Sequence, residues 1–107
     1  MSQIKIAELN EAPPEGESRR LFLEHPFTHF KYQLALIRQE GILYCLTDLC
    51  PKCGGSFGRG KVAGKYAICH NLECAWSLKK GICKFDHSQT IPVYKVTPAA
   101  DGIYIEI

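Results

Sequence analysis

Long hydrophobic runs are missing from this chain. Its apolar residues come in short clusters, nowhere near the ~20 consecutive residues that a membrane-crossing helix needs. A helical rhythm is missing too. No stretch of helical length repeats its apolar positions with a 3.6-residue period, so little helix is expected. Charge of one sign is scarce: 13 Lys and Arg against 11 Asp and Glu leave a net +2. That is too little to argue for nucleic acid or an anionic membrane as partner. No basic segment followed by an apolar one opens the sequence, so a cytoplasmic, reducing compartment is expected, where disulfides are rare.

Catalytic signatures are also lacking. Ser56, Ser77 and Ser88 sit in no nucleophile motif. Asp86-His87-Ser88 brings three catalytic residue types together, but consecutive side chains cannot assemble a triad, and the string reads as a polar turn. His25 and His29 have Pro26 between them, which argues against a shared helical face, and they read as surface residues. An enzyme acting alone is therefore not expected.

What is present is a set of short strands. The 107 residues, 46% of them hydrophobic, suit one globular domain spanning 1–107. Strand candidates are Ile4–Ala7, Arg20–Glu24, Gln33–Arg38, Ile42–Thr47, Val62–Ala63, Lys65–Cys69, Trp76–Leu78, Thr90–Thr97 and Gly102–Ile107. Gln39-Glu40-Gly41, Gly64 and Ala100-Asp101-Gly102 supply turns between them. Many short strands at regular spacing predict an all-β fold, a small antiparallel sandwich or barrel. Asp48–Lys61 is a long irregular stretch with four glycines, and a long loop in a small domain is usually functional.

That stretch begins the most informative feature, six cysteines. Cys50-Pro51-Lys52-Cys53-Gly54 is a tight turn that can present two thiolates to one metal. Its backbone N–H groups face the sulfurs, Pro51 presets the first torsion, and Gly54 permits a left-handed residue after the second thiol. The turn resembles the knuckle of rubredoxins and zinc ribbons. Cys69-His70-Asn71-Leu72-Glu73-Cys74 is a looser second pair. Together Cys50, Cys53, Cys69 and Cys74 form a donor set for tetrahedral zinc, a single iron or a [2Fe–2S] cluster. The competing readings are a disulfide between the loops and plain buried thiols. Cys45 lies between Tyr44 and Leu46 in a strand and reads as a core residue, Cys83 is ambiguous, and His70 is a candidate replacement ligand.

Nearly end to end, the chain resembles a small soluble Rieske-type domain. The motifs that carry the likeness are the N-terminal E-L-N-E-A-P-P-E-G-E, the Leu34–Leu46 hairpin, D-L-C-P-K-C-G-G-S-F-G-R-G-K-V, A-I-C-H-N-L-E-C-A-W-S-L-K-K-G and the closing hairpin from Ile91 to Ile105. The family has two loops, Cys-x-His and Cys-x-x-His, whose cysteines hold one iron and whose histidines hold the other. Here the resemblance puts the metal-binding loops at about 48–58 and 68–78. Cys50 and Cys69 fall on the two cysteines, Lys52 on the first histidine and Leu72 on the second. A protonated lysine and a leucine cannot replace two imidazoles. One new cysteine stands close to each lost histidine, Cys53 in one loop and Cys74 in the other. The resemblance thus implies a four-thiolate centre, either [2Fe–2S] or a single zinc or iron. It also implies a ferredoxin-like electron carrier whose partner is an oxygenase or reductase component. Phe57 and Trp76 would then screen the metal from water. The scattered Arg59, Lys61, Lys65, Lys79 and Lys80 make a mild patch, read first as a solvated face and second as a docking surface. Two further readings stay open: a structural zinc module held by the four cysteines, and a cluster-less accessory subunit like the small subunit of nitrite reductase.

Overall fold

The computed structural model describes residues 3–71 and 73–106. Leu72, the position aligned with the second family histidine, lies outside them. Three antiparallel sheets are formed among the described residues. The first joins β1 (Gln3–Ala7), β10 (Gly102–Glu106) and the edge strand β9 (Val96–Ala99). The second is ordered β2 (Ser18–Glu24), β3 (Lys31–Gln39), β4 (Ile42–Thr47) and β8 (Val93–Tyr94). The third is small, with β5 (Lys61–Ala63), β6 (Tyr66–Ile68) and β7 (Ala75–Ser77). Among the described residues the helical content is one 3-10 turn at Leu9–Glu11. The expected all-β antiparallel architecture is the observed one, and no helix among the described residues is long and apolar enough to cross a membrane.

The second sheet is the middle layer, and the reason is visible in β3. Its run Leu34-Ala35-Leu36-Ile37 has no polar alternation, which marks a strand covered on both faces. Leu34 and Leu36 pack with Ala7, Cys45, Ile103 and Ile105 of the base. Ala35 and Ile37 face the other way and pack with Leu46, Phe57, Ala67 and Trp76 of the tip. All four β3 side chains are fully buried, and burial of each leucine or isoleucine stabilises the fold by roughly 1.5–3 kcal/mol. The β3–β4 hairpin closes through Glu40 and Gly41, both with left-handed φ (54° and 75°), the two-residue turn whose twist suits a hairpin.

Thr90–Thr97 is not the single strand expected. Val93 and Tyr94 pair with Leu46 and Cys45 of β4, whereas Val96 pairs with Ile105 of β10. The chain changes sheets at Lys95, where the apolar positions shift phase from Ile91 and Val93 to Tyr94 and Val96. The other boundary shifts are a residue or two, and the expected second loop, 68–78, takes in all of β7.

Candidate metal centre

The two loops meet at the end of the small sheet. The first leaves β4 and turns at Cys50, where the amide of Gly54 bonds the carbonyl of Cys50 at 2.7 Å and the amide of Cys50 bonds the carbonyl of Gly55 at 2.9 Å. Gly54 has φ 73°, as the knuckle requires. Gly55 is tightly enclosed. A Cβ there would stand 3.3 Å from Cys53 Sγ, 3.3 Å from Cys69 Cβ and 3.1 Å from Asn71 Cβ, so a side chain would press the two loops apart by a few tenths of an ångström. The second loop turns at Glu73, which takes the left-handed conformation (φ 55°) without being glycine.

A buried carboxylate ties the first loop down. Asp48 is 2% exposed. It accepts bonds from Ser56 Oγ at 2.9 and 2.8 Å, the Gly58 amide at 2.7 Å and Arg20 Nε at 2.9 Å. Ser18 Oγ on β2 donates to the carbonyl of Phe57 at 3.0 Å. The loops are also joined to each other. The Ser56 amide donates to His70 Nδ1 at 2.8 Å, and the His70 amide donates to the carbonyl of Ser56 at 3.0 Å. His70 is thus occupied as a loop tie through its Nδ1, and it does not join the sulfur cluster.

This scaffold brings the sulfurs of Cys50, Cys53, Cys69 and Cys74 within 4.8 Å of one another. Cys53 and Cys69 approach to 3.4 Å across the loops. Cys50 and Cys69 are buried, Cys53 and Cys74 half-buried. The inner pair stands where the family cysteines are aligned, and the outer pair stands beside the positions of the lost histidines. Cys45 and Cys83 are fully buried elsewhere, Cys45 in the base and Cys83 in the tip core, and neither joins the quartet. Phe57 and Trp76 are fully buried in the same cluster as Cys50 and Cys69.

Cys50 and Cys74 resist ionisation on their own. Burial raises Cys50, against the backbone N–H groups of Lys52 and Cys53 and the Trp76 indole, which favour its thiolate. Burial, then the neighbouring thiols, pushes Cys74 up to about 12. The Cys74 amide donates to Cys69 Sγ at 3.3 Å. Four crowded sulfurs with backbone donors aimed at them are poorly matched to being four charges alone and well matched to a shared cation, which compensates that charge.

No family model matches the chain, and no curated protein matches it in sequence. Solved structures do match its fold. The ferredoxin of Sphingomonas yanoikuyae B1 superposes with a TM-score of 0.81 over 99% of both chains at 18% identity. The ferredoxin of carbazole 1,9a-dioxygenase from Nocardioides aromaticivorans IC177 gives 0.77 over 98% of this chain and 97% of that one, at 14% identity. A chain described as an NADH-dependent nitrite reductase small subunit from Mycobacterium tuberculosis gives 0.77 over 97% and 93%, at 20% identity. This chain has the Rieske-type ferredoxin fold. At these identities the likeness is one of fold, and the Rieske-type donor pattern is not kept. Lys52 is exposed in the first histidine position, so the two-cysteine, two-histidine set is incomplete.

The remaining candidates are structural. Asp86 accepts from the Ser88 amide and hydroxyl at 3.1 and 2.6 Å, the polar turn expected. His25 Nδ1 accepts two turn amides, from Phe27 and Thr28. The basic patch divides. Lys65, Lys79 and Lys80 line one groove, while Arg59 and Lys61 line another beside Cys69 and His70. Asp48 is the residue that sequence reasoning misses. Its signal is faint: one acidic residue at the end of an apolar strand, just before the first cysteine.

Proposed function

We propose that this protein is a small electron carrier in which Cys50, Cys53, Cys69 and Cys74, in loops 48–58 and 68–78, hold an iron centre and exchange electrons with a partner oxidoreductase. The observation that carries the reading is the gathering of four sulfurs at a loop tip, with the outer pair half-buried. An iron bound there supplies a one-electron couple. The protein's own residues do the rest. Cys50 and Cys69 anchor the site from inside, Phe57 and Trp76 exclude water behind it, and the half-buried sulfurs of Cys53 and Cys74 shorten the electron's path to a docked partner. Carbazole dioxygenase ferredoxin, a neighbour in fold, is solved in complex with its oxygenase, and an oxygenase or reductase component is the corresponding partner class here. A cytoplasmic setting keeps the thiols reduced and available.

The test is anaerobic purification followed by metal analysis, visible spectroscopy and redox titration. A coloured, iron-containing protein with a reversible couple is expected. A colourless protein holding zinc would replace the carrier with a structural module. The nitrite reductase small subunits with the same fold favour a second reading, an accessory subunit, and a protein that takes up no metal would support it.

A further inference from the structure

We infer that the four cysteines form a tetrahedral site for one metal ion, so that the Rieske-type fold here carries a mononuclear centre in place of a two-iron cluster. The inference rests on the four-cysteine reading above and specifies its nuclearity.

The distances make the argument. A Zn–S bond of about 2.3 Å gives a tetrahedral four-sulfur site with sulfur–sulfur edges of roughly 3.8 Å. All four sulfurs here lie within 4.8 Å of one another, and Cys53 and Cys69 stand 3.4 Å apart. A two-iron cluster places its ligand pairs at opposite ends of two metal ions and the sulfides that bridge them. Sulfurs on different irons then stand well beyond the edge of one tetrahedron. The loops would have to open to admit it, and here they are closed so tightly over Gly55 that a Cβ there would meet Cys53, Cys69 and Asn71. The His70–Ser56 amide pairing holds the loops at this spacing.

The chemistry of the turn agrees. Cys50 Sγ and Cys53 Sγ both belong to the one cluster of four sulfurs, so the first loop folds both of its thiols toward a common centre. In the Rieske-type layout each loop instead divides its two ligands between two irons. A second, independent observation points to a ligand. Trp76 is fully buried, yet its indole Nε1 has no hydrogen-bond partner among the described residues, and Cys50 lies in the same buried cluster. A buried N–H left without an acceptor costs roughly 1–3 kcal/mol. A metal-bound thiolate at Cys50 is the acceptor that it lacks, because ligation turns a weakly accepting thiol into a charged sulfur.

The experiment is titration of the reduced, metal-free full-length chain with cobalt(II) and zinc under anaerobic conditions, together with iron and acid-labile sulfide analysis of the protein as purified. Cobalt should saturate at about one ion per chain with intense tetrahedral thiolate bands. The purified protein should hold about one metal ion and no inorganic sulfide. About two irons with about two sulfides per chain would overturn the single-ion inference and leave the electron-carrier reading standing. One zinc per chain would uphold the inference and overturn the carrier. Failure to bind cobalt, zinc or iron would overturn both. As a control for folding, Trp76→Phe should keep the one-to-one endpoint and shift the sulfur-to-metal charge-transfer band, since it removes the indole N–H and keeps most of the apolar bulk.

Discussion

The base and the tip of this molecule are held together by different physics. In the base, β2, β3 and β4 pair along most of their lengths, and Leu34, Leu36, Ile103 and Ile105 are completely buried between layers. The tip has strands of three residues. Its core mixes Phe57 and Trp76 with three buried thiols, and its first loop is organised by the buried carboxylate of Asp48. Three-residue strands bury too little apolar area to be stable alone. The tip must therefore draw on directional interactions: hydrogen bonds to Asp48, the His70 tie and, in our reading, a metal. The base is the part that would keep its shape without them.

Stripping the metal should separate the two regions most widely. Structural thiolate sites in small domains contribute an apparent ~10–16 kcal/mol of binding free energy. A strong chelator, or Cys69→Ala, is expected to remove metal and lower amide-exchange protection in β5–β7 by about a hundredfold or more, with β3 and β4 changed far less. Equal loss of protection in both regions would mean that the tip and base unfold as one unit.

Single side chains should sharpen the contrast. Leu36→Ala removes a fully buried side chain from the base and should cost about 2–5 kcal/mol in denaturant unfolding while leaving metal stoichiometry intact. Asp48→Ala should cost about 2–3 kcal/mol, because the Gly58 amide and Ser56 hydroxyl lose a charged acceptor. Arg20 is a third exposed, so water replaces much of its share. The distinguishing readout is metal affinity, which should fall for Asp48→Ala and hold for Leu36→Ala. If both variants kept metal equally well, the carboxylate would be a stability element with no hold over the loop.

How much of this is legible in the sequence follows the same division. β4 can be read with its observed bounds, and the Glu40-Gly41 turn follows from Gly41, because alternation and turn chemistry are local signals. The four cysteines stand out because a thiol pair at knuckle spacing has few other uses. Asp48 escapes notice because its role depends on Ser56, Gly58 and Arg20, partners that only folding brings together. The Thr90–Thr97 error has another origin, since the apolar positions slip phase at Lys95, from Ile91 and Val93 to Tyr94 and Val96, and that slip is the local mark of the change of sheet. His70 is a candidate ligand on adjacency to Cys69 alone, but a turn begins at His70, and the Ser56 amide takes its Nδ1.

The smallest expected effect belongs to the base and is a matter of pH. Cys45 is packed in the base cluster with Leu34, Leu36, Ile103 and Ile105, and burial pushes its thiol from 9.0 up to about 12. Below pH 9 the thiol is protonated in both the folded and unfolded chain, and the full stability is present. Between 9 and 12 the unfolded chain releases this proton and the folded chain keeps it, so the balance tilts toward unfolding as pH rises. The slope for one proton is about 1.4 kcal/mol per pH unit. Lysines, tyrosines and the other cysteines titrate in the same window, so the measurement is a difference: denaturant stability of wild type minus Cys45→Ala, followed from pH 8 upward. The substitution should cost something near neutrality, because it removes a buried sulfur, and that deficit should shrink as pH climbs. A deficit independent of pH would show that Cys45 ionises as readily inside the base as outside it, and that water reaches this core as it reaches the half-buried cysteines of the tip.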